Sequence, residues 1–221
     1  MTVYTRSMNP DLYKKMRKLI PYDVQCIQVP GFNRNEDCSQ FLHYVISISP
    51  DPWVVIIDED CFIYNWKRVE HTIKEMKKGD FVYAGMPDGG VCSTRARSWV
   101  AMNPFFLILN TEAINELYSS RTQVDYTLLP KDIDKFKPTI VTKAYDHSLI
   151  SPFNGLFNWL FKNFKPMWLP ALDHSDGIST ILDNFALHAW YSREYNNDPE
   201  QKQRIDNLFR ETKHLSHEYN K

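Results

Sequence analysis

The 221-residue chain contains neither a G-x-x-x-x-G-K-[ST] run nor a G-x-G-x-x-G run. The glycine-rich cradles of P-loop and dinucleotide-binding proteins are therefore missing, and kinase and dinucleotide readings lose their support. Charge of one sign is missing too. The 26 Lys plus Arg stand against 27 Asp plus Glu, a formal net charge of -1, so there is no global field to hold a polyanion and no nucleic-acid partner is expected. The four cysteines, Cys26, Cys38, Cys61 and Cys92, show no C-x-x-C spacing. That argues against zinc and redox sites and for free thiols in a reducing compartment. No basic, apolar and small-residue leader opens the chain, and no apolar run approaches the roughly 18 residues needed to cross a bilayer. Internal repeats and low-complexity linkers are also missing. The expectation is a soluble, cytoplasmic, single-domain protein whose 43% hydrophobic and 14% aromatic content fills a core without staples.

What is present reads as α/β. Thr2–Thr5 forms a short strand candidate, followed by a helix with Pro10 at its first position and an inward stripe of Leu12, Met16, Leu19 and Ile20. A second strand covers residues 24–29, and a second helix runs from about Glu36 to Ile48. Trp53-Val54-Val55-Ile56-Ile57 is uniformly apolar, the pattern of a central parallel strand covered on both faces. A third helix carries Trp66, Val69, Ile73 and Met76, and a strand over 81–84 follows. Three strand–helix–strand repeats predict a mainly parallel sheet flanked by helices. Beyond it, residues 85–103 read as a functional loop or short hairpin, and Phe105–Leu109 as a strong strand. Asn110–Ser119 reads as a helix, and residues 167–170 as a further strand. Asp176 is expected to cap a short helix with Ile178, Ile181, Leu182 and Phe185 on one face, and a final amphipathic helix spans about Asp198–His217.

Asp58, Glu59 and Asp60 stand directly after the most buried-looking strand, where open α/β sheets bind ligands. Two carboxylates one residue apart at such a place call for a compensating cation. A divalent ion, Mn²⁺ or Mg²⁺, suits their hard oxygens and would neutralise a diphosphate leaving group. The same spacing recurs at Asp132-Ile133-Asp134, but with no apolar strand before it, and there a solvated loop is expected.

The V-V-I-I-D-E-D-C strand end, preceded by two βα units and followed by a helix and the F-V-Y-A strand, resembles the GT-A-type glycosyltransferases with their D-x-D motif. The likeness covers about residues 2–120 in order of elements and extends more loosely to 173–193. It implies a Rossmann-like, mixed but mainly parallel sheet. Residues 1–110 would form a nucleotide-sugar-binding half, 111–197 an acceptor and catalytic half, and 198–221 a C-terminal helix. It also implies transfer of a sugar from a nucleotide-diphosphate sugar (UDP- or GDP-linked) to a hydroxyl of a glycan or glycolipid. By position, Asp60 would ligate Mn²⁺ or Mg²⁺, and Asp58 would meet the metal or the donor ribose. Tyr4, Thr5 and Arg6 fall where this family binds base and ribose, although the first strand here is short and lacks the usual apolar entry. A late histidine commonly completes the metal shell; His188 is the first candidate and His174 the second. Arg193 is placed to meet phosphate, and Trp190 and Tyr191 to stack on a sugar or complete the core.

An inverting reaction needs a carboxylate base, for which Asp176 comes first and Asp173 second; a retaining one needs none, and both stay open. Gly89, Gly90 and Arg95 belong to the loop that shapes the donor-sugar pocket in the look-alike enzymes. Two rivals stand beside this reading. An NDP-sugar-forming nucleotidyltransferase would want glycines after the first strand, where Arg6-Ser7-Met8-Asn9-Pro10 stands instead. A non-catalytic carbohydrate or membrane-surface module would use the aromatics of 153–164 as a peripheral membrane contact.

Overall fold

The computed structural model describes residues 1–32, 37–90, 97–118, 132–141, 144–147 and 151–219. Six strands form the main sheet in the order β2-β1-β3-β6-β5-β7. They are β1 (Thr2–Arg6), β2 (Gln25–Val29), β3 (Trp53–Ile57), β5 (Tyr83–Gly85), β6 (Phe106–Asn110) and β7 (Pro166–Trp168). β1 pairs in parallel with β2 and β3, and β5 with β7, whereas β6 runs antiparallel to both β3 and β5. The expected repeat of strand, helix and co-directional strand is thus present, with β6 inserted between β3 and β5. The fold is mixed α/β with a mainly parallel sheet flanked by helices.

β3 shows why the sheet is central. Its residues alternate between two cores, Val55 and Ile57 on one face and Val54 and Ile56 on the other, with all four fully buried. On the first face lie α1 (Pro10–Arg17), α3 (Trp66–Lys78) and α6 (Pro199–Tyr219). On the second lie α2 (Asp37–Ile48), α4 (Thr111–Leu117) and α5 (Asn154–Asn163). Local signals set the helix ends. The Asn9 side chain accepts from the Asp11 and Leu12 amides at 3.0 and 3.3 Å ahead of Pro10, Asn65 caps α3, and Asp198 caps α6 through the Glu200 amide.

A second, four-stranded antiparallel sheet has the order β4-β10-β9-β8, from β4 (Cys61–Ile63), β8 (Ala171–Asp173), β9 (Thr180–Leu182) and β10 (Ala186–His188). It draws β4 from before residue 110, and the main sheet draws β7 from after it, so the two expected halves interlock. The helix expected after Asp176 is a correction. Thr180-Ile181-Leu182 is β-branched strand sequence, and Asp183 and Asn184, both at positive φ, turn the chain between β9 and β10. The stripe of Ile181, Leu182 and Phe185 fits a hairpin as well as a helix. Arg68 of α3 donates to Asp183 at 3.0 Å and clamps that turn.

The aromatics of 153–164 are divided between cores. Phe153, Leu156, Phe157 and Leu160 are buried in one cluster, and Phe161 packs edge-on against Trp99 in another. Two faces of α5 are in use, which accounts for an aromatic density beyond the needs of one. No helix among the described residues is long and apolar enough to cross a membrane. Cys38 and Cys61 are buried and Cys26 partly so; Cys92 lies outside the described residues.

α6 is fastened to the small sheet's edge by His174, whose Nε2 lies 3.1 Å from Glu211 and whose Nδ1 lies 3.2 Å from the Asp176 carboxylate. Burial opposes the charged imidazolium, but the two acids outweigh it and hold the pKa above the ordinary 6.5. A folded-state pKa above the unfolded one contributes stability that is complete below about 6.5 and fades as pH rises through the folded value. The thermal midpoint of the unaltered protein should therefore exceed that of His174→Asn by more at pH 6 than at pH 8.5, as differential scanning fluorimetry across that range will show.

Candidate active site

Strand pairing builds the site. Asp58, at the carboxyl end of β3, is fixed by its amide, which donates to the Phe105 carbonyl at 2.8 Å. β10 runs antiparallel to β4 with His188 opposite Cys61, and the Ala189 amide donates to the Asp60 carbonyl at 3.0 Å. This register sets His188 Nε2 3.5 Å from Asp60 Oδ1, with both side chains almost fully buried. Phe105 stacks on the imidazole at 3.9 Å, with the rings 6° apart, and Trp190 tilts against it at 4.3 Å. The ring is held between two aromatics, and its buried Nδ1 has no hydrogen-bond partner among the described residues.

These groups form the floor of a cleft of about 1330 Å³. Arg6 from the end of β1 and Arg193 from the 3₁₀ turn after β10 also line it. Asp173, Ile178, Trp190, Tyr191 and Gln201 line it too, and Arg97, Ser151 and Phe153 stand among the lining residues contributed by other parts of the chain. The three acids behave differently. Burial pushes Asp58 up to about 6, against the pull of Arg6. Burial also pushes Asp60 up, but the His188 imidazole and the Ser192 hydroxyl outweigh it and hold its carboxyl below the usual range. Glu59 is pushed up to about 7 by burial, in spite of the donors on it.

Glu59 has a structural task. Its Oε2 accepts from the Ser7 hydroxyl at 2.7 Å and from the Met8 and Asn9 amides at 2.9 and 2.8 Å. It thus ties the loop between β1 and α1 to the acidic turn.

The expected site residues sort as follows. Asp58, Asp60, His188, Arg6, Arg193, Trp190 and Asp173 are brought to one cleft. Tyr4 and Thr5 are buried in β1 and do not line it. Gly89 and Gly90, at φ +77 and +48, turn the loop after β5 in a left-handed conformation that favours glycine, and neither lines the cleft. Arg95 lies outside the described residues. Asp176 does not line the cleft. Its Oδ1 accepts from the Ile178 and Ser179 amides, and its Oδ2 from the Ser179 hydroxyl and Arg204. Four donors fill a carboxylate that was expected to act as a base; burial pushes its pKa up, but the Ser179 and Ile178 donors and the His174 imidazole hold it far below the usual range. His174 is engaged by Glu211 and Asp176 rather than by the acidic turn. In the control pair, Asp134 accepts from the Trp99 indole at 2.7 Å, and Asp132 pairs with Lys135; both have structural partners.

Sequence reasoning missed Ser192, Gln201 and the structural use of Glu59. Ser192 directly follows the Trp190-Tyr191 pair that drew notice, but nothing in its type announces a partner of Asp60.

Among the described residues no group of three His, Cys, Asp or Glu converges as a metal shell. The donors that do meet are one carboxylate and one imidazole, with Asp58 standing apart in the same cleft. Such a pair fits a hard divalent cation that takes its remaining ligands from phosphate oxygens and water. It does not fit a closed structural site.

One structural neighbour is a glycosyltransferase. It is involved in the glycosylation of the major capsid of PBCV-1, and its structure aligns with a TM-score of 0.35 and 7% identity over 65% of this chain and 78% of its own. A197 from STIV aligns with a TM-score of 0.46 and 11% identity over 85% of this chain and 93% of its own. No family model matches the chain, and no curated protein matches it. Likeness at this level does not bear on chemistry.

Removal of the Glu59 carboxylate leaves two buried amides and a hydroxyl without their acceptor. Glu59→Ala should lower the unfolding free energy by about 1–3 kcal/mol, and Glu59→Gln, which keeps an acceptor oxygen, by less. Urea denaturation of both variants checks the order.

Proposed function

We propose that the protein is a metal-dependent glycosyltransferase that takes a nucleotide-diphosphate sugar as donor and a hydroxyl of a glycan or glycoconjugate as acceptor. The observation that carries the reading is the buried Asp60–His188 pair, 3.5 Å apart, on the floor of a cleft lined by Arg6 and Arg193. A carboxylate and an imidazole at that spacing are too far apart for a good hydrogen bond and well spaced as neighbouring ligands of one Mn²⁺ or Mg²⁺. The cation supplies Lewis-acid neutralisation of the diphosphate as it leaves.

The remaining roles belong to the chain's own residues. Asp60, kept ionised, and His188, clamped between Phe105 and Trp190, present two preset donors. Arg6 and Arg193 offer guanidinium forks to the phosphates. Asp58, with its raised pKa, lies nearer the ribose side by its strand-end position. The acceptor oxygen attacks the anomeric carbon as the bond from that carbon to the diphosphate oxygen breaks. Where configuration inverts, a carboxylate must take the hydroxyl proton. Asp173, which lines the cleft, is favoured over the fully engaged Asp176 for that role.

The test is donor turnover. Incubation with UDP- and GDP-sugars plus Mn²⁺ should release nucleoside diphosphate slowly without acceptor, and chelation should stop it. Asp60→Ala should slow release by about 100-fold or more, the scale on which transition-state charge stabilisation is lost. Nucleotide-sugar binding that is equally tight with EDTA and with Asp60→Ala would refute the reading.

A further inference from the structure

The cleft wall after β10 holds an aromatic side chain that the fold itself does not use. Trp190 and Tyr191 are consecutive and both left-handed, each with φ +57. That conformation is unfavourable for bulky residues and persists only where the surroundings impose it. The imposing contacts fall on the backbone and on Trp190. The Trp190 indole donates to the Thr180 hydroxyl at 2.9 Å, Arg204 of α6 donates to the Trp190 carbonyl at 3.0 Å, and the Glu194 amide donates to the Tyr191 carbonyl at 3.0 Å. The Tyr191 side chain is 60% exposed. It has no hydrogen bond or ring contact among the described residues, although it lines the cleft three residues from His188. The segment is pinned through its backbone and Trp190, which leaves the Tyr191 ring exposed on the cleft. Ile178, also exposed, and the acid Asp173 line the same cleft.

The geometry points to Tyr191 as the platform on which a neutral pyranose ring of the acceptor stacks, a role whose place in the reaction rests on the glycosyl-transfer reading. The ring face offers an apolar, quadrupolar surface to the C–H face of a sugar. The Asp173 carboxylate of the same cleft accepts hydroxyl hydrogen bonds and disfavours an anionic acceptor. Two left-handed residues fix the platform beforehand, so little ordering entropy is lost on binding.

The experiment is saturation-transfer-difference NMR on the full chain with methyl glucoside, methyl galactoside, methyl mannoside, maltose, cellobiose and lactose, with UDP and Mn²⁺ present. At least one sugar should show saturation concentrated on the C–H protons of one ring face. Tyr191→Phe should preserve the effect. Tyr191→Ala, an exposed position where an unchanged melting temperature confirms the fold, should weaken affinity about tenfold, the scale of one such ring contact. Saturation from none of the sugars, or saturation unchanged in Tyr191→Ala, overturns the proposal. Tyr191-dependent saturation of serine- or threonine-containing peptides in place of sugars also overturns it. Donor turnover by the unaltered protein separates the two readings. Tyr191-dependent sugar binding without turnover sustains the platform and removes the transferase. Turnover with Tyr191-independent sugar binding does the reverse.

Discussion

The pairing of β10 with β4 is the constraint on which the site depends. β4 is only three residues long and begins immediately after Asp60, so the acidic turn is the hinge between the main sheet and the small one. Antiparallel pairing in a single register sets His188 opposite Cys61 and hence beside Asp60. A slip of one residue would turn the imidazole to the opposite face. The register is held from both ends: the Ala189 amide bonds the Asp60 carbonyl, and the Tyr64 and Asn65 amides both donate to Phe185. The Arg68 clamp on Asp183 then fixes the far turn. An ion pair with one partner largely buried gains little net stability, so its value here lies in specifying where β10 sits.

The main sheet gives this hinge a rigid base. β3 and β6 pair along five residues, and the amide of Asp58 continues that ladder onto Phe105, the residue that stacks on His188. The two aromatic contacts on the imidazole thus come from different sheets, and the ring reports their relative placement. Glu59 lines the cleft as well and gathers the β1–α1 loop. Three successive acids therefore have three sets of neighbours: Arg6 for Asp58, the loop for Glu59 and the His188 imidazole for Asp60. Their differing pKa values follow from that division, with burial dominant for the first two and a neighbouring imidazole and hydroxyl decisive for the third.

Much of the frame was legible because its signals are local. An unbroken W-V-V-I-I run can only be a strand covered twice, and Asn9-Pro10, Asn65 and Asp198-Pro199 mark helix starts by capping chemistry alone. Asp58 and Asp60 could be singled out for the same reason, since they sit where that strand must end. The hairpin over 180–188 was not legible, because Ile178, Ile181, Leu182 and Phe185 satisfy a helical period while Thr180–Leu182 also satisfies a strand. What decides between them is pairing with β4, a partner more than 100 residues away. The engagement of the Asp176 carboxylate was not legible on the same grounds. A good cap is recognisable by type, but whether its second oxygen is free depends on Arg204, which arrives from α6.

The positive-φ residues of the small sheet divide into two kinds. Asp183 and Asn184 occupy the central positions of a tight hairpin turn, and the Phe185 amide donates to the Leu182 carbonyl at 2.9 Å. Their side-chain types tolerate the left-handed region, and the turn needs it there to match the strand twist. Trp190 and Tyr191 share those dihedral angles without that excuse. They lie just past the end of β10, where an extended chain would have continued freely. Left-handed backbone costs about 1–2 kcal/mol for each such residue. The return for Trp190 is evident in the imidazole it flanks and the hydroxyl it reaches. The detour also lets Ser192 meet Asp60 and brings Arg193 into the cleft, because two left-handed residues reverse the chain toward the acidic turn. The local strain and the composition of the cleft are therefore one fact. A chain that left β10 in extended form would carry Ser192 and Arg193 away from Asp60, and the cleft would keep Arg6 but lose its second guanidinium and the hydroxyl on Asp60.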